Sequence, residues 1–334
     1  MFNYRTLSVF CYLAFFLLMA VLSRFTGLTL ATREQLASQT AAFFARGLEG
    51  ALNTQRAYRS DLNQLRLWLA ARELGELPLS SATLAAYLSD EATRHAWATL
   101  SRRMAAIRKW HKLNKHPDPA LDDTVQTVLE GIKRTLGTEP GQAPAFEIEE
   151  FKTQIRLIPL TSAGLRDRAL LLVGFVGAFR RSELVALDVE GIQFTREGAV
   201  ISYKGSKTNQ YGRTEQKALF FSPDPDTCPV RALQDYLALL GREAGPLFVR
   251  IRKGDQITED RLSDRQVART VKAYLGEEYS AHSLRASFVT IAKLNGADDS
   301  QIMQQTKHRT RTMIDRYTRV QQVVRHNAAM KLGL

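Results

Sequence analysis

Cysteine is nearly absent from this chain of 334 residues: Cys11 and Cys228 are the only two. Two thiols so far apart build neither a disulfide framework nor a metal cluster, and a reducing cytoplasm is the compartment they fit. Walker loops, zinc motifs and the dinucleotide fingerprint are also missing, so no cofactor, metal or nucleotide, is expected. Acidic side chains are the scarcer sign of charge. Asp and Glu number 34 against 46 Lys and Arg, which leaves +12 at pH 7. Such a balance suits a binder of polyanions, although a basic surface alone is equally a well-solvated one. Long apolar runs are missing with one exception, LSVFCYLAFFLLMAVL from Leu7 to Leu22, which lies between Arg5 and Arg24.

What is present is helical periodicity, interrupted once. In TQRAYRSDLNQLRLWLAAR, Tyr58, Leu62, Leu65 and Leu69 recur on one helical face. Arg56 and Arg59 belong to the remaining surface. SSATLAAYLSDEA reads as the next helix with Ser81 as its cap. In ATLSRRMAAIRKWHKL, Leu100, Met104, Ile107 and His111 share a face, while Arg102 and Lys109 point away from it. DDTVQTVLEGIKRTL ends near Gly137. The segment GTEPGQAP breaks the pattern as a linker would. The expected organisation is an apolar extension over residues 1–30, a helical domain over 31–136, a linker over 137–147 and a second domain over 148–334. In the last, DRALLLVGFVGAF is apolar nearly all round and belongs in a core. AVISYK and KALFF read as a hairpin with a long turn. The fold class is thus mainly α with a small β-sheet.

Three short motifs carry chemistry, and each is weak alone. Arg180 follows the apolar helix and stands three residues before Glu183, which can hold its guanidinium on a helix face. The same spacing recurs at Arg252/Asp255 and Arg261/Asp264, so an ordinary ion pair explains it as well. His282 and Arg285 form H-S-L-R, offering an imidazole and a cationic fork to one anion. His308 and Tyr317 are nine residues apart, on roughly opposite sides of any straight helix. Serving one site requires a bend, with His308 at a turn and Tyr317 on the helix after it.

Taken in order, A-F-R-R-S-E-L, a hairpin lysine, H-S-L-R, then K-H and a tyrosine nine residues later resemble the tyrosine recombinase family of lambda integrase, Cre and the Xer proteins. The resemblance covers roughly Ala31 to Leu334, with N-T-Q-R-A-Y opening a stretch similar to the family's core-binding domain. It implies a SAM-like DNA-binding domain followed by an α+β catalytic domain. It implies that Arg180 and Arg285 clamp the scissile phosphate, that His282 and His308 assist proton transfer, and that Tyr317 is the nucleophile. The lysine acting as general acid is Lys207, by the likeness of G-S-K-T to the family's S-K-T, with Lys204 as the alternative. Glu183 orients rather than reacts. Arg56, Arg59, Arg102 and Lys109 are expected to grip DNA. Where many relatives carry glycine before the second histidine, this chain has Lys307, a further cation beside the phosphate.

The implied reaction is cleavage and rejoining at a specific recombination site in double-stranded DNA through a 3′-phosphotyrosine, with no metal or ATP. A homotetramer on DNA is implied as well, with room for accessory DNA-bending proteins. Type IB topoisomerase relaxation and a DNA-binding regulator without catalysis are the rival readings. For the run from Leu7 to Leu22, the expectation is a start at Met19 or a dispensable extension. A membrane anchor or a packed helix is the other reading.

Overall fold

A computed structural model describes residues 52–139, 141–204, 214–308, 310, 311 and 314, together with Thr29, Gln35 and Gln39. Tyr317, Lys207 and the apolar run Leu7 to Leu22 lie outside the described residues. Among the described residues, no helix is long and apolar enough to cross a membrane. The chain divides into two compact units between Pro140 and Gly141.

The first unit contains α1 (Leu52–Ala70), α2 (Ser81–Ala92), α3 (Trp97–Leu113) and α4 (Asp123–Leu136). The periodic leucines do what their spacing demands: Leu65 and Leu69 are buried on α1 and meet Leu84, Leu88, Leu100 and Ile107. Each such side chain contributes about 1.5–3 kcal/mol by leaving water. The cap of α2 is Ser80, one residue before the expected Ser81, because the Ser80 hydroxyl accepts from the Thr83 backbone N–H. Gly137 closes α4 at φ 70°, a conformation that glycine adopts without strain. A charged knot is built into this unit: Arg103 meets the carboxylate of Glu91, and both are buried.

The second unit is built around α6 (Ser162–Val176), which packs against α8 (Pro229–Leu240) and α10 (Ala281–Leu294). Its start is capped by Thr161. The expected continuation through Gly177-Ala178-Phe179 is not helical; α6 stops at Val176, and Ala178 takes a left-handed φ of 46°. A reversal follows into the short α7 (Arg181–Val185). The hairpin is present, as β2 (Gly198–Tyr203) and β3 (Glu215–Phe220), with β1 (Ile192–Phe194) on the outer side of β2. All pairings are antiparallel, in a register that sets Ile201 opposite Lys217. A second ribbon, β4 (Val249–Arg252) and β5 (Gln256–Arg261), was not foreseen. Its turn uses Gly254 and Asp255, both at positive φ. α5 (Ile148–Arg156), α9 (Asp264–Leu275) and α11 (Asp299–Thr306) complete the unit.

Phe146, which falls within the expected linker, is buried in the second unit instead. It stacks on Phe151 and donates its backbone N–H to Ser287 Oγ at 2.9 Å.

Candidate active site

The reversal after α6 organises the site. Because α6 ends where it does, Arg180 is the N-cap of α7 rather than a helical residue, and Glu183 is the third residue of that helix. Glu183 therefore reaches back, not along a helix face as expected. One carboxylate oxygen accepts the Arg180 backbone N–H at 3.0 Å, and the other meets Nη1 of the Arg180 guanidinium at 2.5 Å. Glu183 is fully buried. Burial works against its negative charge, but Lys217, the Arg180 N–H and the Arg180 guanidinium outweigh that, and its pKa lies below the ordinary range. The look-alike pairs do not form this way. Arg261 meets Asp188 and Arg252 meets Asp260, while Asp264 pairs with Arg181.

Arg285 is 1% exposed on α10. Its Nη1 donates to the Ala178 carbonyl at 2.7 Å, its Nη2 to the Thr306 carbonyl at 2.5 Å, and its Nε to His308 Nε2 at 3.3 Å. Three acceptors from two distant stretches therefore hold the planar fork in one orientation.

His308 sits just beyond α11, whose end is set by Lys307 in the left-handed conformation, φ 56° and ψ 37°. His308 thus lies at a turn, and the left-handed backbone before it explains why glycine suits the position preceding the histidine. Arg285 donates to Nε2, so the ring proton lies on Nδ1 and is given to Thr306 Oγ1 at 3.0 Å. Thr306 in turn donates to the Ile302 carbonyl. Burial first, then the charges of Arg285, Arg180 and His282, push the His308 pKa down to about 3. The imidazole is neutral at pH 7. His282, in the first turn of α10, is exposed, and its charge is felt at His308. Arg311, which repeats the His-Arg spacing after His308, pairs with Asp299 at 3.3 Å.

The structure thus gathers Arg180, Glu183, Arg285 and His308 and sets His282 beside them. Lys204 is exposed at the end of β2, before the turn. One residue at the centre of the cluster escaped the sequence reading. Lys217 is fully buried on β3, 3.6 Å from Glu183 and 3.1 Å from the Ala178 carbonyl. It was counted into an apolar strand, KALFF. The alternation shared with Leu219 is the signal that places its side chain inside.

In the first unit, Arg56 and Arg59 are exposed on α1. Arg102, its side chain half exposed, has Nε and Nη2 on the buried carboxylate of Asp61 at 2.8 and 2.9 Å. Lys109 has its ammonium 5.9 Å from the Tyr58 ring and lines an open cleft of about 620 Å³ with Arg108, Lys112, Lys115 and His116. The rest of that basic cluster was also missed, though the spacing of residues 108, 109, 112 and 115 along α3 and just past its end places it on one side.

Comparison with known proteins agrees with this architecture. Residues 144–323 match the phage integrase family, and residues 45–116 match the phage integrase N-terminal SAM-like domain. The chain belongs to the phage integrase family and is a tyrosine recombinase by class. Within that class it is similar to Xer proteins. It is 34% identical over 294 residues to an integrase/recombinase xerD homolog of Selenomonas ruminantium, covering 84% of this chain and 85% of that protein. It is 29% identical over 296 residues to tyrosine recombinase XerC of Myxococcus xanthus, covering 80% and 87%. In fold it is similar to the XerH site-specific recombinase bound to palindromic difH substrate, with TM-score 0.61 at 17% identity over 94% and 88% of the two chains. A lambda integrase dimer bound to a core site gives 0.54 at 16% identity over 83% and 94%.

Proposed function

We propose that this recombinase cuts and rejoins double-stranded DNA at a specific site, with Tyr317 as nucleophile and a 3′-phosphotyrosine as intermediate. The observation that carries the proposal is the cluster itself. Arg180 and Lys217 meet one buried carboxylate, Glu183, and Arg285 shares the Ala178 carbonyl with Lys217; three cations gathered around a single carboxylate charge are an arrangement built to receive an anion.

A phosphodiester gains charge on its non-bridging oxygens as it becomes pentavalent. Cations already locked in place stabilise that state more than the ground state, and one such contact is worth about 3–4 kcal/mol. Arg285 is the rigid member. Arg180, with a side chain 17% exposed, is the member open to solvent. His308, neutral and ordered through Thr306 and Arg285, is suited to hydrogen bonding within the site rather than to carrying charge. His282 is the group for the tyrosine proton, and Lys207, or Lys204 in its place, protonates the leaving 5′-oxygen. Fixed cations do the electrostatic work that a metal would do. The covalent bond retains the phosphodiester's energy, so rejoining needs no ATP.

The partner is duplex DNA carrying an inverted repeat, gripped through phosphates by Arg56, Arg59 and the cleft around Lys109. The lambda integrase tetramer on a Holliday junction, similar in fold at TM-score 0.54, supports a tetramer on DNA. A DNA substrate and two isolated thiols favour the cytoplasm.

The test uses plasmids and nicked suicide duplexes carrying candidate inverted repeats from the DNA beside the gene. Covalent trapping and strand exchange between two sites are the expected results. Relaxation of any supercoiled plasmid without exchange would establish topoisomerase chemistry instead, and no covalent product on any DNA would refute both.

A further inference from the structure

A lysine buried in a strand is costly. Desolvating an ammonium takes several kcal/mol even after relaxation, and an apolar side chain of similar volume would be cheaper. Lys217 nevertheless stands on the inner face of β3, with its side chain wholly shielded. Its ammonium lies 4.2 Å from the centre of the Phe179 ring and 5.7 Å from that of Tyr203. Its two polar partners are the point of interest. The Ala178 carbonyl accepts from Lys217 Nζ at 3.1 Å and from Arg285 Nη1 at 2.7 Å. The Glu183 carboxylate faces Lys217 at 3.6 Å and holds Arg180. One acceptor of each arginine is thus shared with the same lysine. Ala178 reaches this place only by adopting a left-handed backbone, a strained state that persists where surroundings over-determine it.

We propose that Lys217 is a positioning residue for cleavage: by holding the Ala178 carbonyl and the Glu183 carboxylate together, it fixes Arg285 and Arg180 in the geometry that receives the scissile phosphate. The proposal rests on the reading of those arginines as the phosphate clamp. Lys217 is not itself the proton donor, because it is sealed beneath the guanidiniums rather than exposed beside them.

The charged and titratable groups around it come from every neighbouring element: Glu183 on α7, Arg180 before it, Arg285 on α10, and Tyr203 on β2, whose hydroxyl donates to Glu215 on β3. His308 feels its charge from the far side. Burial lowers the Lys217 pKa, Glu183 opposes that, and Arg285 and Arg180 lower it further, to about 7. A bound phosphodiester offsets the guanidiniums and favours the protonated lysine, so DNA docking draws in a proton. The charged form is the one that holds the clamp, and it is lost as pH rises through the pKa.

Single-turnover cleavage of a suicide duplex from pH 6 to 9 tests this with Lys217→Met and Lys217→Arg, alongside melting curves and DNA affinity. Lys217→Met should bind DNA normally and cleave about 100-fold more slowly, the loss expected when catalytic groups are displaced by about 1 Å. Lys217→Arg, charged throughout the range, should recover most of the rate and abolish the decline above neutrality. Wild-type rate and pH profile in a folded Lys217→Met protein would overturn the proposal, as would a Lys217→Arg profile that still declines. Rescue of Lys217→Met by a substrate with a 5′-bridging sulfur would also overturn it, because the lysine would then be the proton donor. Failure of the wild-type protein to trap any DNA would count against the recombinase reading itself.

Discussion

Replacing Glu183 by glutamine keeps the side chain's shape and removes the negative charge that Arg180 and Lys217 share. In the native protein that charge lies within 2.5 Å of the Arg180 guanidinium and 3.6 Å of the Lys217 ammonium, with no exposure to water. At an effective dielectric of about 20, a single ion pair at about 4 Å is worth roughly 4 kcal/mol, and breaking a buried pair from one side costs about 3–5 kcal/mol. Two cations are stranded here, but they respond differently. Lys217, with a pKa near 7, sheds its proton readily once Glu183 is neutral, whereas arginine cannot. That release limits the loss, and about 3 kcal/mol at pH 7 is expected. Urea titrations with an unchanged slope and a lower midpoint would measure it. Lys217→Met should cost less in the Glu183→Gln background than alone, because the second substitution removes a stranded charge. The Glu183 pKa is held below its ordinary 4.5, so its contribution is present above that pH and lost as pH falls through the lower folded-state value. The gap between wild type and Glu183→Gln should therefore widen as pH falls below 7, where the variant's Lys217 must regain its proton, and narrow once pH falls through the folded-state Glu183 value. A loss under about 1 kcal/mol at pH 7, or a gap unchanged in acid, would refute the reasoning.

Lys307→Gly should stabilise the protein by about 1 kcal/mol in thermal or urea unfolding, because glycine adopts the left-handed turn without strain; Lys307→Ala should show no such gain. His308, with a folded-state pKa near 3 against 6.5 unfolded, contributes stability above pH 6.5 that drains away as pH falls toward 3; His308→Gln should flatten that part of the stability profile. Lys109→Glu with Lys112→Glu should weaken binding to duplexes of any sequence and shrink the salt slope by about 2, read by anisotropy across a KCl series. Arg102→Ala, which strips the buried Asp61 carboxylate of its two short bonds and leaves it Arg103 at 3.7 Å, should lower stability by about 2 kcal/mol, read by urea unfolding.

Which parts were legible in the sequence follows from how local their causes are. Helices α1 and α3 announce themselves because the 3.6-residue period of Leu65, Leu69, Leu100 and Ile107 is contained within each segment. The turn at His308 was legible because nine residues and one shared site are incompatible with a straight helix. Glu183 could be paired with Arg180 by spacing, yet not with the right geometry, since that depends on where α6 ends. Ala178 ends it by turning left-handed, which no property of alanine foretells. Lys217 was hidden for a different reason: its role arises from long-range pairings, with Ile201 across the sheet and with Glu183 across the cluster. The β4–β5 ribbon is local, but its strands are largely exposed and charged, so no apolar alternation marks them. Arg102 shows the same limit: its outward face was legible, but its pairing with Asp61, forty-one residues earlier, was not.

The account turns on which atom takes the phosphate. Trapping the wild-type protein on a suicide duplex, digesting with trypsin and nuclease, and sequencing the adduct by mass spectrometry would identify it. Cleavage after Arg316 and Arg319 should release Tyr317-Thr318-Arg319 with a 3′-linked nucleotide on the tyrosine, and Tyr317→Phe should give no adduct while binding DNA as before. An adduct on any other residue, or trapping that survives Tyr317→Phe, would contradict the mechanism.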